Sequence, residues 1–378
     1  MNQKKLHVLF ICGWYPSRVL PTNGDFIERH AQAVAKQHKV SVIHLITDKN
    51  CTKKIEIITK EDQNLTTHIG YILPKKNRIT KLKSFWKAYQ KILKKIGAFD
   101  VIHLNEIHPF GLLAKHTSKK NKIPYIITEH HTAYLQSTNN NLSYSKKMIA
   151  KNVVKHAAFF CPVSTYLATH LKKAGFTGNY KIVPNVVDTG LFVPKKKVKD
   201  SLKIVHVSSL KDSHKNIKGM LRVAKLLEEK LAYFEWHFIG GTGNEYQEFI
   251  TSLNIKKAKI HFTKHVTQKQ LVNYLQEATL CVSFSNYETF GIVIPEAIAC
   301  GTPVIATNTG IATYLKNEQF CKVIPIKNEA FLLEEILNYK TTFDKLDPDK
   351  MHSFVAQQFS KEVISNKFSQ LYYKSLNI

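Results

Sequence analysis

Short runs of β-branched and aliphatic residues alternate with segments of helical apolar spacing along nearly the whole chain. In the first half such runs fall at residues 6–12, 40–45, 101–104, 125–128 and 159–163. Near-continuous apolar runs of this length mark strands covered on both faces, the situation of a parallel sheet flanked by helices. Residues 25–36 and 164–174 supply crossover helices between them. A second series starts after Pro184, with strands expected at 202–208, 235–239, 259–262, 280–284, 303–307 and 321–324. Between the two series, residues 194–200 are charged and poor in apolar side chains, which reads as a linker. The pattern therefore predicts an α/β protein of two doubly wound, Rossmann-like lobes. Such lobes leave a ligand cleft where the carboxyl ends of their strands face each other.

Residues 75–96 stand apart. Ile79, Leu82, Phe85, Trp86, Tyr89, Ile92, Leu93 and Ile96 form a helical stripe, and Lys76, Lys81, Lys83, Lys87, Lys91, Lys94 and Lys95 fill much of the remainder. Two readings fit: a helix packing its stripe on the first lobe, or an interfacial helix whose lysines meet anionic lipid.

Chain length agrees with two lobes, since 378 residues exceed what a single core organises. Charge adds something new. The formal net charge is +27, and residues 1–183 hold 30 Lys and Arg against 9 Asp and Glu. A field of that strength on one half points to an anionic partner there, although lysines solvating an ordinary surface also account for it. Arginine occurs only at positions 18, 29, 78 and 222. Sequence-reading nucleic-acid proteins use arginine for bidentate base contacts, so nucleic acid is not the expected partner. The six cysteines show no metal-like spacing and read as small buried hydrophobes of a reducing, cytoplasmic compartment. The apolar run near the N-terminus is short and leads straight into Gly13-Trp14-Tyr15-Pro16, which suits a first strand better than a leader.

The segment 285–297 carries the most specific chemistry. It follows a strand, crosses a turn of small residues and enters a helix, with Glu288 and Glu296 eight residues apart. Carboxylates accept paired hydrogen bonds from vicinal hydroxyls, and backbone N–H groups at a helix start suit anions and hydroxyls. The segment resembles the E-x7-E donor motif of retaining family 4 glycosyltransferases of GT-B fold. Other features extend the resemblance over most of the chain. The loop Trp14 to Phe26, with Gly24, is similar to the family's glycine-bearing loop after the first strand. Thr128-Glu129-His130-His131 resembles a T-x-H segment, with the match at His130 or one residue on. Residues 184–192 are similar to the family's connection between lobes. Residues 207–217 resemble the segment that gives an Arg and a Lys to a diphosphate. Lys215 matches the lysine, while Ser209 stands where the family has arginine. Gly240-Gly241-Thr242-Gly243 resembles the turn below the nucleotide. Thr309-Gly310-Ile311 lacks the glycine pair common there, and its role stays open.

The resemblance implies a division into an acceptor-binding domain, 1–183 with a last helix (359–378) crossing back, and a donor-binding domain, 184–358. It further implies a retaining, metal-independent transfer from a UDP- or GDP-sugar to a glycan or lipid-linked acceptor of cell-surface polysaccharide assembly. In that scheme Glu296 takes the ribose hydroxyls, and Glu288 with Phe290, Gly291 and Ile292 takes the sugar. Lys215 takes the diphosphate with Ser209 lining its pocket, and Lys211 or His214 stands in for the lost arginine. Gly241 lies under the base, Gly24 caps the diphosphate, and His130 orients sugar or attacking hydroxyl. No cofactor or metal is expected, and association with the inner membrane face is. Asp347-Pro348-Asp349 fits a metal-holding pattern of the other glycosyltransferase fold, but its proline and flanking lysines indicate an exposed turn. The rival of a different class is a non-catalytic polyanion- or nucleic-acid-binding protein, supported by the basic first lobe.

Overall fold

The computed structural model describes residues 4–135, 142–195 and 201–378. Residues 196–200 of the expected linker lie outside these. Two sheets are present. The first contains β1 (His7–Cys12), β2 (Lys39–Thr47), β3 (Ile55–Asp62), β4 (Leu65–Ile72), β5 (Val101–Asn105), β6 (Tyr125–Glu129) and β7 (Phe159–Pro162). Their spatial order is β3-β4-β2-β1-β5-β6-β7. The second contains β8 (Lys203–Val207), β9 (Glu235–Ile239), β10 (Lys259–Thr263), β11 (Leu280–Ser283), β12 (Val304–Thr307) and β13 (Cys321–Ile324), in the order β10-β9-β8-β11-β12-β13. Strand order reverses direction at β1/β5 in one sheet and at β8/β11 in the other. These switch points are where an open α/β sheet leaves a crevice for ligands.

All pairings are parallel except β3 with β4, an antiparallel hairpin at the sheet edge that the apolar pattern does not reveal. Its turn is Gln63-Asn64, without the glycine that usually announces a hairpin, and Gln63 itself adopts a left-handed φ of 50°. Strand β3 is also largely exposed and ends in Lys60, Glu61 and Asp62, charges that blunt a sheet edge. Elsewhere the expected strands are deeply buried: Val8 through Cys12 are almost inaccessible to solvent. All six cysteines are buried and none is in a disulfide.

The first helix, α1 (Asp25–Val34), starts at Gly24, whose φ is 76°. A Cβ there would sit 2.6 Å from the carbonyl carbon of Trp14, so only glycine lets the loop after β1 fold back against the helix start. At the other end of the chain two helices divide their packing. Helix Pro348–Phe359 buries Met351, Val355 and Phe359 in the same apolar cluster as Ile294, Ala297 and Ile298 of the second lobe. Ser360 breaks the run and caps the next helix, Lys361–Leu376. That helix buries Ile364, Phe368, Leu371 and Tyr372 against Ile27, Ala31 and Val34 of α1. Polar contacts fix its register: Tyr372 Oη lies 2.7 Å from His103 Nδ1, and Ser369 Oγ 2.8 Å from His38 Nε2.

The segment 75–96 forms α2 (Arg78–Ile96), capped by the Asn77 side chain. Only its C-terminal half packs fully. Ala88, Tyr89 and Ile92 are buried, whereas Ile79 is 63% exposed, Leu82 62% and Trp86 40%.

Phe368 is completely buried between His30, His103 and Tyr372. Phe368→Ala is expected to cost about 3–5 kcal/mol, the usual range for an aromatic removed from a packed core. Urea unfolding measures it, and a variant as stable as the wild type would show that the last helix is not part of the first lobe's core.

Candidate active site

The loops leaving β8 and β11 meet at the second sheet's switch point. Asn286 ties them together: its N–H donates to the His214 carbonyl at 2.8 Å and its side-chain amide to the Ser213 carbonyl at 3.1 Å. The result is a compact charged cluster. Lys215 Nζ hydrogen-bonds to Glu288 Oε1, which also accepts from Ser285 Oγ at 2.8 Å. His214 Nε2 stands 3.7 Å from Glu288 Oε2, too long for a hydrogen bond but within ion-pair reach when protonated, and its ring stacks on Tyr287 at 4.3 Å. Burial opposes the charge on Glu288, yet Lys215 and His214 outweigh it and hold this carboxyl far below the ordinary range.

The glycine of 309–311 has a structural explanation. Gly310 has φ 54°, and a Cβ on it would lie 2.4 Å from the Phe290 carbonyl oxygen. Ile311 N–H donates to that same carbonyl at 2.7 Å, and Thr307 Oγ1 donates to the Ser285 carbonyl at 2.6 Å. This second loop therefore buttresses the one bearing Glu288. Beyond Glu288 the N–H groups of Phe290, Gly291 and Ile292 make no hydrogen bond among the described residues, which leaves three donors beside the carboxylate.

A cleft of about 410 Å³ opens over this cluster, with walls from both lobes. The second lobe gives Ser208, His214, Lys215, Ser285, Glu288 and residues 289–294; the first gives Trp14, Phe26, His130 and Thr132. The two histidines of the pair are placed differently. His130 lines the cleft and packs on Phe26 at 4.6 Å, with neither ring nitrogen hydrogen-bonded among the described residues. Burial drives its pKa well down, so it is a neutral imidazole. His131 instead caps a short turn, accepting from Ala133 N–H at 2.9 Å. Glu129 organises both, accepting the N–H groups of His130, His131 and Ile107.

Other expected residues lie elsewhere. Ser209 is exposed and outside the cleft wall, where Ser208 stands instead. Lys211 is also exposed, so His214 is the second basic group beside Lys215. Gly241 faces Leu210 and does not line the cleft. Its neighbour Gly240 is the one with no room for a side chain, since a Cβ would fall 1.8 Å from the Ser208 carbonyl oxygen. Gly24 is buried behind Trp14. Glu296 does not reach the cleft surface: it is 1% exposed and pairs with Arg29 of α1 across the lobes at 2.6 Å. The guanidinium stays charged, since burial works against it but Glu296 and Asp25 raise its pKa above the ordinary value.

Two participants are not apparent from the residue pattern, Arg29 and Ser164. The latter donates from the first lobe to the Thr289 carbonyl at 2.5 Å. Only Arg29 carries a signal, being one of four arginines in a lysine-dominated chain.

Comparison with known proteins bears on this arrangement. Residues 25–191 match the family described as Glycosyltransferase Family 4, and residues 190–338 match Glycosyl transferases group 1. The chain belongs to the family 4 glycosyltransferases. An uncharacterized 41.2 kDa protein of the Klebsiella pneumoniae cps region is 23% identical over 91% of this chain and 98% of its own. A Mus musculus GDP-Man:Man(3)GlcNAc(2)-PP-Dol alpha-1,2-mannosyltransferase is 31% identical over 37% of this chain and 31% of its own. Among solved structures, sucrose-phosphate synthase from Thermosynechococcus elongatus superposes with a TM-score of 0.77 at 18% identity, covering 99% of this chain and 100% of that one. HepE of Anabaena, solved with UDP and glucose, gives 0.70 at 16% identity over 98% and 100%. The fold of this glycosyltransferase is thus GT-B.

Two groups with metal-like chemistry lie outside the cleft. Asp347 is used as a helix cap, accepting from Asp349 N–H at 2.9 Å and Lys350 N–H at 3.3 Å. Glu235, His237 and His261, on β9 and β10, have ligand atoms within 4.8 Å of one another. There Glu235 already accepts from Tyr233 and the two imidazoles stack on each other at 4.6 Å.

The Glu288 cluster predicts a signed pH dependence. A carboxyl whose pKa is depressed on folding contributes stability above its unfolded pKa and loses it as pH falls through the native value. Lys215→Met removes the main cause. The gap in melting temperature between wild type and variant should be full at neutral pH and shrink below about pH 4.3, the ordinary value for glutamate. A gap that stays constant into strong acid would show that Lys215 stabilises by packing alone.

Proposed function

We propose that this glycosyltransferase moves a sugar from a nucleoside-diphosphate donor to a glycan or lipid-linked acceptor, with retention and without a metal. One observation carries the reading: the Lys215–Glu288 pair, His214 and His130 face a single cleft shared by both lobes. A nucleotide-sugar needs acceptors for the sugar hydroxyls and positive charge for the departing diphosphate. Glu288 is ionised and flanked by three free N–H groups, which together suit a polyhydroxylated ring. Lys215 puts positive charge at the same place, with the His214 imidazole beside it, where a leaving diphosphate gains from a preformed cation. His130, neutral and without hydrogen-bond partners, enters from the opposite lobe and can orient the sugar or the attacking hydroxyl. HepE binds UDP and UDP-glucose on the same fold, and the cps-region relative supports a place in cell-surface polysaccharide assembly.

The test is release of nucleoside diphosphate and transfer of sugar across a panel of UDP- and GDP-sugars, in the presence of a chelator. Glu288→Ala is expected to lower kcat/KM by roughly 10²-fold or more, the scale of losing one transition-state contact in a preorganised site. Proton NMR of the product reads the anomeric configuration; inversion, or transfer by the variant at the wild-type rate, contradicts the scheme.

The acceptor side is proposed to work at an anionic membrane surface. Among the described residues no helix is long and apolar enough to cross a membrane. Helix α2 does leave Ile79, Leu82 and Trp86 exposed, with Lys81, Lys83 and Lys87 exposed beside them. Apolar side chains among lysines suit a headgroup region, each lysine contributing on the order of 1 kcal/mol near anionic lipid. Co-sedimentation should favour phosphatidylglycerol over phosphatidylcholine vesicles at low salt, and the triple replacement of Ile79, Leu82 and Trp86 by Ser should weaken it. Equal binding to both lipids, or an unaffected variant, removes α2 as the docking element.

A further inference from the structure

The two walls of the cleft differ in chemistry. The charged and readily titratable side chains that line it, Lys215, Glu288 and His214, all come from the second lobe. The first lobe contributes Trp14, Phe26, His130 and Thr132, with no lysine or arginine among the described residues of that wall. This is out of proportion to residues 1–183 as a whole, with their 30 Lys and Arg against 9 Asp and Glu. In place of charge there is a run of rings. Trp14, half-buried, lies 6.2 Å from Phe26 in an edge-on arrangement and 5.1 Å from His131. Phe26 lies 4.6 Å from His130. Gly24 packs directly on the Trp14 backbone, which fixes where the indole stands. Burial lowers the pKa of both His130 and His131, so both imidazoles are neutral. Behind them the carboxyls of Glu106 and Glu129 are completely buried, and burial raises both, Glu129 to about 7.

We propose that this wall receives the acceptor and selects an uncharged sugar, a pyranose stacked on Trp14 with its hydroxyls toward His130. The inference rests on the nucleotide-sugar reading given above and names the substrate class on its acceptor side. An aromatic face is electron-rich, and the C–H bonds on the flat side of a pyranose are weak donors to it. A neutral imidazole with both nitrogens unpartnered offers one donor and one acceptor to hydroxyl groups. A uronate or sugar phosphate fares worse. Its anion would lie against rings and neutral imidazoles, with ionised Glu288 across the cleft and no first-lobe cation to meet it. Lys215 does not fill that gap, because it is already paired with Glu288 on the opposite wall. The lysine excess of the first lobe therefore acts away from the sugar that is attacked onto.

Saturation-transfer NMR in the presence of UDP or GDP tests it. The probes are methyl glucoside, galactoside and mannoside against methyl glucuronide and galacturonide. Wild type is expected to bind at least one neutral glycoside more tightly than either uronide by at least about 10-fold, since an unpaired buried charge is costly. Trp14→Ala should weaken the preferred glycoside by about 10-fold, the scale of losing an aromatic contact and its buried area. Trp14→Phe should keep part of the affinity. Calorimetric affinity for the nucleoside diphosphate should stay within about 2-fold in both variants, because its partners lie on the other wall. Equal or tighter binding of a uronide, no saturation of any neutral glycoside, or an unaffected Trp14→Ala overturns the proposal. So does a Trp14→Ala that loses nucleotide and glycoside alike, the mark of a merely structural indole. Should Trp14→Ala fail to fold, the comparison of neutral with charged probes on wild type still decides. Failure of the underlying reading looks different: wild type would then bind neither UDP nor GDP, and the acceptor assignment would fall with it.

Discussion

Two glutamates on one short stretch of chain are buried, and each is met by a cation. Removing a carboxylate from water costs several kcal/mol, so it survives inside a protein only where a partner and hydrogen bonds offset the loss. Glu288 is answered within its own lobe by Lys215, with Ser285 and His214 beside it. Glu296 is answered from the other lobe by Arg29. The first arrangement ties the loops after β8 and β11 into one surface. The second ties the lobes together. Much of the cleft's shape follows from these two compensations.

The rest of the architecture keeps the partners in register. Gly24 lets α1 begin close against the loop after β1, which places Arg29 one turn into the helix. The last helix packs along α1, so the element carrying Arg29 is clamped on its other side by Phe368 and Tyr372. The preceding helix packs against Val293–Ala299, the helix that carries Glu296. One continuous piece of chain, bent at Ser360, thus supports both halves of the interlobe ion pair. Ser164 adds a further link by holding the Thr289 carbonyl next to Glu288.

Charge is organised on two scales. At the cleft and behind it, single cations are matched to single carboxylates, and burial makes each pairing matter. On the first lobe's surface the excess of lysine is diffuse and screened by salt. The neutral His130 sits between these regimes. Burial denies it a proton, and no group among the described residues occupies its nitrogens, so its hydrogen bonds remain available to a ligand.

The βα alternation and near-continuous apolar runs were enough to determine two parallel sheets, because burial on both faces leaves a strong one-dimensional signal. Glu288 and Lys215 were named from short local segments that resemble a family's motifs, and the structure brings both to one cleft. The β3–β4 hairpin was not legible, since an exposed edge strand needs no apolar pattern and its turn lacks glycine. Nor was the choice between His130 and His131, because adjacent residues at a strand end differ only in which way the chain turns. The partner of Glu296 was the least accessible of all. Arg29 lies 267 residues away, and a long-range ion pair leaves no periodic trace. The sequence by itself determined which residues carry charge and which strands are buried. Only the tertiary structure decided which charges meet, because that depends on how the two sheets are brought together.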